Sequence, residues 1–201
     1  MAMLQKKRTV PDLSINSPDH QAAIASGNEQ YTAWQYNVAD HFKGNSVAEI
    51  RQALKDNAHP FAVAMENWTS DFNFSSLVRN ANGFNAKEVF YIGDKKVDRR
   101  GMTGTHNYTD VKWIETIEDF LSLKNDYVFV AIDNVPGSVS LIEYNWAPNS
   151  LMIFGSEGTG LTKEMISYCK DIVHIPMMGS VRSFNAACSS AIVMYDYISK
   201  I

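Results

Sequence analysis

LMIFGSEGTGLT (residues 151–162) and IPMMGSVRSFNAACSSA (residues 175–191) are the two stretches that decide the predicted fold. Each begins as an apolar strand, turns at glycine and continues into a predicted helix. Joints of this kind bind ligands in α/β proteins, because glycine lets the backbone approach a ligand and helix N-termini offer free N–H groups. Two such joints close together predict a single pocket floored by backbone groups.

Strands and helices alternate from residue 58 to residue 201. Apolar runs predict strands at residues 61–65, 88–92, 111–114, 127–132, 151–155 and 171–176. Helices are predicted at residues 72–82, at 117–123 with Thr116 as N-cap, from about Thr162, and from about Ser183 as the cap of the last helix. Continuous apolar strands separated by helices are typical of a parallel sheet covered on both faces. We therefore predict one doubly wound α/β domain over residues 58–201.

The remaining segments are predicted to be helical or irregular. Residues 1–57 lack the alternation and predict a helical N-terminal extension, in which Ser46 and Glu49 form a capping box. Residues 94–110 predict a long polar loop, and residues 133–141 predict a short helix or a loop.

Composition limits the possible classes of protein. With 45% hydrophobic and 20% charged residues, the chain of 201 residues is globular. Its formal net charge of −4 means that a nucleic-acid partner could be held only by a local basic patch. Cys169 and Cys188 form no metal or disulfide pattern, and no run is long enough to span a bilayer. We expect a cytoplasmic protein with no metal and no membrane partner.

The glycines of GSEGTGLT do not match the common nucleotide-binding motifs. The spacing of Gly155 and Gly160 resembles a phosphate loop, but Leu161 occupies the position of the required lysine. The dinucleotide spacing G-x-G-x-x-G is also absent. A plain strand–helix turn explains these glycines, but it does not explain Glu157 among them.

Other polar residues follow the same type of joint. Asn73 and Arg79 come after the first predicted strand. A helical arginine commonly lies on a solvated face or in a salt bridge, whereas its place after a strand end favours a functional site, and both interpretations stay open. A simple N-cap accounts for Ser183 but not for Asn185, which is predicted to lie in the first turn of the last helix.

Taken together, three segments resemble the motifs of a known family. N-x5-R (residues 73–79), FGSEGxGL (154–161) and IPM-x-G-x-V-x-S-x-N (175–185) resemble those of the SpoU/TrmH RNA ribose 2′-O-methyltransferases of the SPOUT superfamily. The resemblance covers residues 60–201, with the motifs in the same order. It implies a deep C-terminal trefoil knot, a homodimer with the active site at the subunit interface, and S-adenosylmethionine as cofactor.

The resemblance also implies the roles of particular residues. The matching catalytic positions are Asn73, Arg79, Glu157, Ser183 and Asn185. The cofactor is expected near Ile132, Gly155, Ile175, Met177 and Phe184. Arg79 is expected to orient the ribose hydroxyl and stabilise the developing alkoxide, with an RNA phosphate as proton acceptor. Asn73 and Asn185 are expected to hold Arg79 and the substrate, and Ser183 to fix the turn of the last motif.

The sequence departs from the family pattern at two positions. Phe184 and Ala187 replace the leucine and the second serine of the usual S-L-N-V-S, and both substitutions bear on cofactor affinity. The polar identities at Ser183 and Asn185 are retained.

RNA binding is predicted from local charge. The candidate residues are Lys95, Lys96, Arg99, Arg100 and Arg182. Such contacts release counterions, so salt should weaken binding steeply, although charged loops are often merely solvated. Two alternatives stay open: a non-catalytic RNA-binding SPOUT dimer, and a SPOUT enzyme that methylates a base nitrogen. The choice between tRNA and rRNA also stays open.

Overall fold

The structure, a computed structural model, describes residues 38–67, 73–93, 97 and 100–201. The chain divides into two compact units, Met1–Ala53 and Leu54–Ile201. In the first unit, a short 3-10 helix at Asp40–Phe42 precedes helix α1, Val47–Asp56, which begins in this unit. The capping box is confirmed, because the Ser46 amide donates to Glu49 Oε2 at 2.9 Å and the Glu49 amide donates to Ser46 Oγ at 3.3 Å. The rest of the predicted extension, residues 1–37, lies outside the described residues.

The second unit contains a seven-stranded sheet in the order β3-β2-β1-β6-β4-β7-β5, and all neighbouring strands are parallel. The strands are β1 His59–Asn67, β2 Ala86–Gly93, β3 Val111–Ile114, β4 Val128–Ile132, β5 Val139–Ser140, β6 Ser150–Gly155 and β7 Asp171–His174. The predicted parallel sheet is therefore confirmed. The prediction of helix or loop for residues 133–141 is wrong at β5, because two paired residues are too few to produce a strand pattern.

Helices cover both faces of this sheet. Helices α2 Asn73–Gly83 and α5 Ala186–Lys200 pack on one face, and α3 Ile117–Ser122 and α4 Lys163–Tyr168 pack on the other. Alternate residues of β1 serve the two cores: Val63 belongs to the α2/α5 side and Ala62 to the α3/α4 side. The core residues of β1 and β6 are buried on both sides, which explains their unbroken apolar runs.

The helix caps confirm two predictions and correct a third. Thr116 Oγ1 accepts from the Asp119 amide, and Thr162 Oγ1 accepts from the Met165 amide. Ser183 is not the cap of α5, because the helix begins only at Ala186 and Asn185 is its N-cap. The chain stays irregular through residues 183 and 184, which the sequence pattern did not indicate.

The polar loop at residues 94–110 has local structure in the part that is described. It contains short 3-10 helices at Arg100–Met102 and Thr105–Asn107. Met102 is 3% exposed and belongs to the core on the α2/α5 side. Gly101 lies so close to α2 that a Cβ there would be 2.8 Å from Ser75 Cβ. This loop is therefore anchored on α2 rather than merely solvated.

Strand order brings the two deciding stretches together. Strand β6 lies between β1 and β4, and β7 lies between β4 and β5. Ile132 at the end of β4 is in register with Phe154 on β6 and with Val173 on β7. The loops that follow β6, β4 and β7 therefore leave the sheet side by side, at the edge where α/β proteins bind ligands.

Two absences hold for the described residues. Within residues 38–67, 73–93, 97 and 100–201, no helix is both long and apolar enough to cross a membrane. The same ranges contain no group of three or more His, Cys, Asp or Glu residues that could hold a metal ion.

Candidate active site

Three polar side chains from the three motif segments form a hydrogen-bonded triangle. Asn73 begins α2, Glu157 lies in the turn after β6, and Asn185 caps α5. Asn73 Nδ2 donates to Glu157 Oε2 at 3.0 Å. Asn185 Nδ2 donates to Asn73 Oδ1 at 2.9 Å and to Glu157 Oε2 at 3.1 Å. The structure thus brings together three of the five predicted catalytic residues, from positions far apart in the sequence.

The helix cap fixes the orientation of Asn185. Its Oδ1 accepts from the Ala187 amide at 2.9 Å and from the Cys188 amide at 3.4 Å. Since the oxygen faces the helix N-terminus, Nδ2 is left to donate to Asn73 and Glu157. Asn185 therefore both starts α5 and closes the triangle. These two roles explain why an asparagine stands at this position, which a cap at Ser183 did not.

We call residues 155–161 the glycine turn. It folds back on itself, since the Gly160 amide donates to the Ser156 carbonyl at 3.0 Å. Gly158 and Gly160 have φ angles of 90° and 67°, which disfavour other residues. A Cβ on Gly155 would lie 2.1 Å from the Gly160 carbonyl carbon, so this close packing also requires glycine. The glycines thus build a closed turn that carries Glu157 toward Asn73.

Arg79 and Ser183 lie outside the triangle. Arg79 is exposed on α2, and neither it nor Ser183 forms a hydrogen bond or ion pair with any described residue. The expectation that Asn73 and Asn185 hold Arg79 stays a prediction, since the bonds described for the two amide groups reach Glu157.

Helix α2 is nevertheless fixed beside the triangle. Asn80, next to Arg79, donates from Nδ2 to the Ala187 carbonyl and to Ser190 Oγ, both at 2.9 Å. These bonds tie α2 to the first turn of α5. The helix that carries Arg79 is thus held against the helix that Asn185 starts, while the guanidinium stays open to solvent.

The predicted cofactor residues lie at and beyond the neighbouring strand ends. Ile132 ends β4 and Gly155 ends β6. Ile175 directly follows β7, and Met177 and Phe184 lie further along the same segment. We call residues 175–185 the exposed segment, because three of its large apolar side chains are open: Met178 is 90%, Val181 61% and Phe184 44% exposed.

The loop after β4 contains two residues that the sequence analysis missed. The Asp133 amide donates to the Val173 carbonyl at 3.1 Å, and Asp133 Oδ2 accepts from the Leu161 amide at 3.1 Å. Asn134 Nδ2 donates to the Arg182 carbonyl at 2.8 Å. This loop therefore connects the glycine turn with the exposed segment. Its signal in the sequence was an acidic residue directly after a buried strand, where α/β proteins place ligand-binding groups.

The predicted RNA-binding residues are only partly described. Lys95, Lys96 and Arg99 lie outside the described residues, and of Arg100 only the backbone is described. Arg182 is exposed within the exposed segment. The loop that contains the other four begins directly after Gly93, at the carboxyl end of β2.

Comparisons with known proteins place this geometry in context. Residues 60–195 match the sequence model of the SpoU rRNA Methylase family. A tRNA (guanosine(18)-2′-O)-methyltransferase of Aquifex aeolicus (strain VF5) is 24% identical over 153 residues, which cover 73% of this chain and 72% of that protein.

Solved structures agree with the architecture. The A. aeolicus TrmH/SpoU tRNA modifying enzyme has a TM-score of 0.67 at 21% identity, covering 77% of this chain and 81% of that one. The SpoU methyltransferase AviRb from Streptomyces viridochromogenes, in complex with the cofactor AdoMet, has a TM-score of 0.62 at 23% identity, covering 70% of this chain and 58% of that one. These likenesses confirm the predicted α/β fold.

Proposed function

This chain belongs to the SpoU rRNA methylase family, and we propose that it transfers the methyl group of S-adenosylmethionine to a ribose 2′-hydroxyl of tRNA or rRNA. The observation that carries this proposal is the triangle of Asn73, Glu157 and Asn185. It joins the three motif segments at the edge of the sheet where the loops after β6 and β7 emerge.

The residues at the strand ends fit an adenosine-containing cofactor. S-adenosylmethionine supplies, when bound, an electrophilic methyl group on a sulfonium. Ile175 and Met177 are partly exposed beside the buried Ile132, and together with the backbone N–H and carbonyl groups of these loops they suit an adenine ring and a ribose. Gly155 and Phe184 complete the predicted set. Phe184 is 44% exposed, so its larger ring has open space around it and need not block the pocket.

Arg79 is the proposed activating residue. Its guanidinium stays protonated, so it orients the hydroxyl and stabilises the developing alkoxide while an RNA phosphate accepts the proton. Its solvent-open position on a helix fixed by Asn80 supports this role. The triangle fixes the three segments around the reacting groups, and Ser183 lies two residues before the Asn185 corner. Positioning of this kind can supply on the order of 7–11 kcal/mol of the barrier reduction.

A homodimer would complete the site. Three large apolar side chains lie close together in the exposed segment and are open to solvent: Met178, Val181 and Phe184. An exposed apolar patch of this kind is typical of a protein–protein interface. We propose that a second copy covers the exposed segment and that Arg79 acts across the resulting interface. The open guanidinium of Arg79 supports this arrangement, because it leaves room for groups from another chain.

We also propose the deep trefoil knot and the helical extension that the family implies. Residues 133–138 join β4 to β5, and β7 lies between those two strands. The connection therefore crosses the carboxyl end of β7, from which the exposed segment emerges. Threading of that segment past the connection would produce the knot, and the bond from Asn134 to the Arg182 carbonyl supports this path. The boundary between residues 57 and 58, with a helical extension before it, is proposed on the sequence pattern.

RNA is the proposed partner, held by local positive charge. Arg182 lies in the exposed segment beside the proposed cofactor site. The loop with Lys95, Lys96, Arg99 and Arg100 would extend this patch. Since these contacts displace counterions, affinity should fall steeply as salt rises.

The deciding experiment is transfer of labelled methyl from S-adenosylmethionine to total tRNA and, separately, to rRNA. The wild type should label one pool, and nuclease P1 digestion with mass spectrometry should identify a 2′-O-methylnucleoside. Arg79→Ala and Arg79→Lys should both lose at least about 100-fold in rate, because an ammonium lacks the planar fork of the guanidinium. Lys87→Ala, a change at an exposed cation on β2, should retain activity.

Other outcomes would identify another function. Label on a base nitrogen would indicate a base-methylating SPOUT enzyme. RNA binding without cofactor binding would indicate a non-catalytic dimer. Either result would overturn the proposed reaction.

A further inference from the structure

Asp133 occupies the point where the three strand-end loops meet. It directly follows Ile132, and its amide donates to the Val173 carbonyl of β7. Its Oδ2 accepts from the Leu161 amide at the end of the glycine turn. A Cβ on Gly160 would lie 2.9 Å from the same oxygen, so the glycine turn packs directly against this carboxylate.

The charge of Asp133 is not neutralised by a side chain of the described part of the protein. Its Oδ1 accepts from the Asn134 amide at 2.7 Å, and Oδ2 accepts from the Leu161 amide at 3.1 Å. Both partners are neutral backbone groups, and no Lys, Arg or His side chain within the described ranges forms an ion pair with it. The carboxylate is half-buried, so solvent screens its negative charge only in part.

A half-buried carboxylate without a cationic partner favours a cationic ligand beside it. We propose that Asp133 is a specificity-determining residue that selects the positively charged sulfonium of S-adenosylmethionine over the neutral thioether of the product, S-adenosylhomocysteine. This inference rests on the proposed function, because it assigns the loops around Asp133 to the cofactor. Methyl transfer converts the cationic sulfonium into a neutral thioether. The product therefore loses its attraction to Asp133 and binds more weakly than the cofactor.

The test compares three ligands by isothermal titration calorimetry on the full-length protein. S-adenosylmethionine and sinefungin, which carries an amine in place of the methyl sulfonium, are cationic at this position, and S-adenosylhomocysteine is neutral there. Asp133→Asn keeps the shape of the side chain but removes the charge. We expect it to weaken binding of the two cationic ligands about tenfold more than binding of S-adenosylhomocysteine.

The comparison of ligands separates charge from loop geometry. In Asp133→Asn, one of the two backbone amides faces the side-chain NH2 group instead of an acceptor oxygen. The resulting change in loop geometry should weaken binding of all three ligands alike. The matched control is Asn134→Ala, which removes the neutral bond to the Arg182 carbonyl in the same loop and should leave the ratio of affinities unchanged. Equal loss for all three ligands in Asp133→Asn would overturn the proposal and leave Asp133 a purely structural residue.

A measurement on the wild type does not depend on folding of a variant. Raising the salt concentration from about 0.05 M to about 0.5 M should reduce the preference for the cationic ligands, because screening weakens attraction to the carboxylate. An unchanged preference would overturn the charge-based proposal. Failure of the wild type to bind any of the three ligands would instead refute the proposed function, and the inference with it.

Discussion

The glycine turn follows β6 and the exposed segment follows β7, on either side of β4, and the two regions differ in how well their own contacts cover them. In the glycine turn, Ser156 bridges to Gly160 and its hydroxyl lies 2.8 Å from that of Thr159. In the exposed segment, Met178 is 90% exposed and Val181 is 61% exposed. The first is stabilised by contacts within its own chain, whereas the second presents apolar surface that the described residues leave uncovered. The difference leads us to propose that the glycine turn is the preformed half of the site and that another molecule completes the other half.

The largest expected difference between the two regions is in the effect of a glycine-to-alanine substitution on the free energy of unfolding. Gly155→Ala would place a Cβ 2.1 Å from the Gly160 carbonyl carbon and 2.3 Å from the Leu161 nitrogen, and backbone atoms cannot easily move away. We expect the free energy of unfolding to fall by about 3 kcal/mol. Differential scanning calorimetry should then show a melting temperature about 6–12 °C lower.

The control lies in the other region. At Gly179 in the exposed segment, an added Cβ would have no atom within 4 Å. Gly179→Ala should therefore change the free energy of unfolding by less than about 0.5 kcal/mol. Similar melting temperatures for the two variants would show that the glycine turn is not the rigid region inferred from its packing.

Asn185 belongs to the exposed segment and bonds to Glu157 of the glycine turn. Its substitution should distinguish its role as the helix cap from its role in catalysis. Asn185→Ala removes both the cap and the donor to Glu157, so we expect a loss of about 1 kcal/mol in stability and of roughly 100-fold in methyl transfer. Asn185→Asp keeps an acceptor for the amides of Ala187 and Cys188 but sets a second carboxylate against Glu157. Its thermal stability should lie above that of the alanine variant, while its activity should be equally low.

Methyl transfer assays and thermal unfolding of the two variants test this separation. Activity of Asn185→Asp within about fivefold of the wild type would mean that the triangle does not organise the site. The role of Asn185 would then be limited to starting α5.

The next prediction concerns what covers the exposed segment. If a second copy does so, the combined change Met178→Ser and Val181→Ser should weaken dimerisation about 100-fold, because both apolar side chains would leave the interface. Light scattering after size-exclusion chromatography at micromolar concentrations measures this effect. Trp113→Ser alters an exposed aromatic on β3, at the opposite edge of the sheet, and should leave the mass unchanged. An unchanged mass for the double variant would exclude this surface as the interface.

The sequence predicted elements whose signals are local. The capping box of Ser46, the cap at Thr116 and the strand Val111–Ile114 depend on neighbouring residues, and the structure confirms all three. The polar residues of the motifs could be located because a plain turn does not explain Glu157. Strand β5 was missed because its two residues are defined only by pairing with β7.

The geometry of the site could not be predicted in the same way. That Asn73 and Asn185 hold Arg79 stays a prediction, whereas the bonds of both amide groups to Glu157 were not predicted. These bonds depend on the tertiary arrangement, because Asn73, Glu157 and Asn185 come from segments that are far apart in the sequence. Asp133 was missed for a related reason: its contacts with Val173 and Leu161 exist only once β4, β6 and β7 lie side by side.

The two cysteines give the smallest expected effect, since each lies downstream of one of the two regions. Cys169 follows α4, after the glycine turn, and burial raises the pKa of its thiol to about 12. Cys188 is exposed in the first turn of α5, after the exposed segment. The thiolate is the reactive form, so at pH 8 only on the order of one Cys169 in 10,000 is ionised, and a thiol reagent should modify Cys188 alone in the folded protein. Mass spectrometry of wild type and Cys188→Ser after brief labelling tests this, with Cys188→Ser expected to stay unmodified until it unfolds. Rapid labelling of Cys169 would mean that the region after the glycine turn opens readily. The inferred contrast between a glycine turn stabilised by its own contacts and an uncovered exposed segment would then be wrong for the glycine turn.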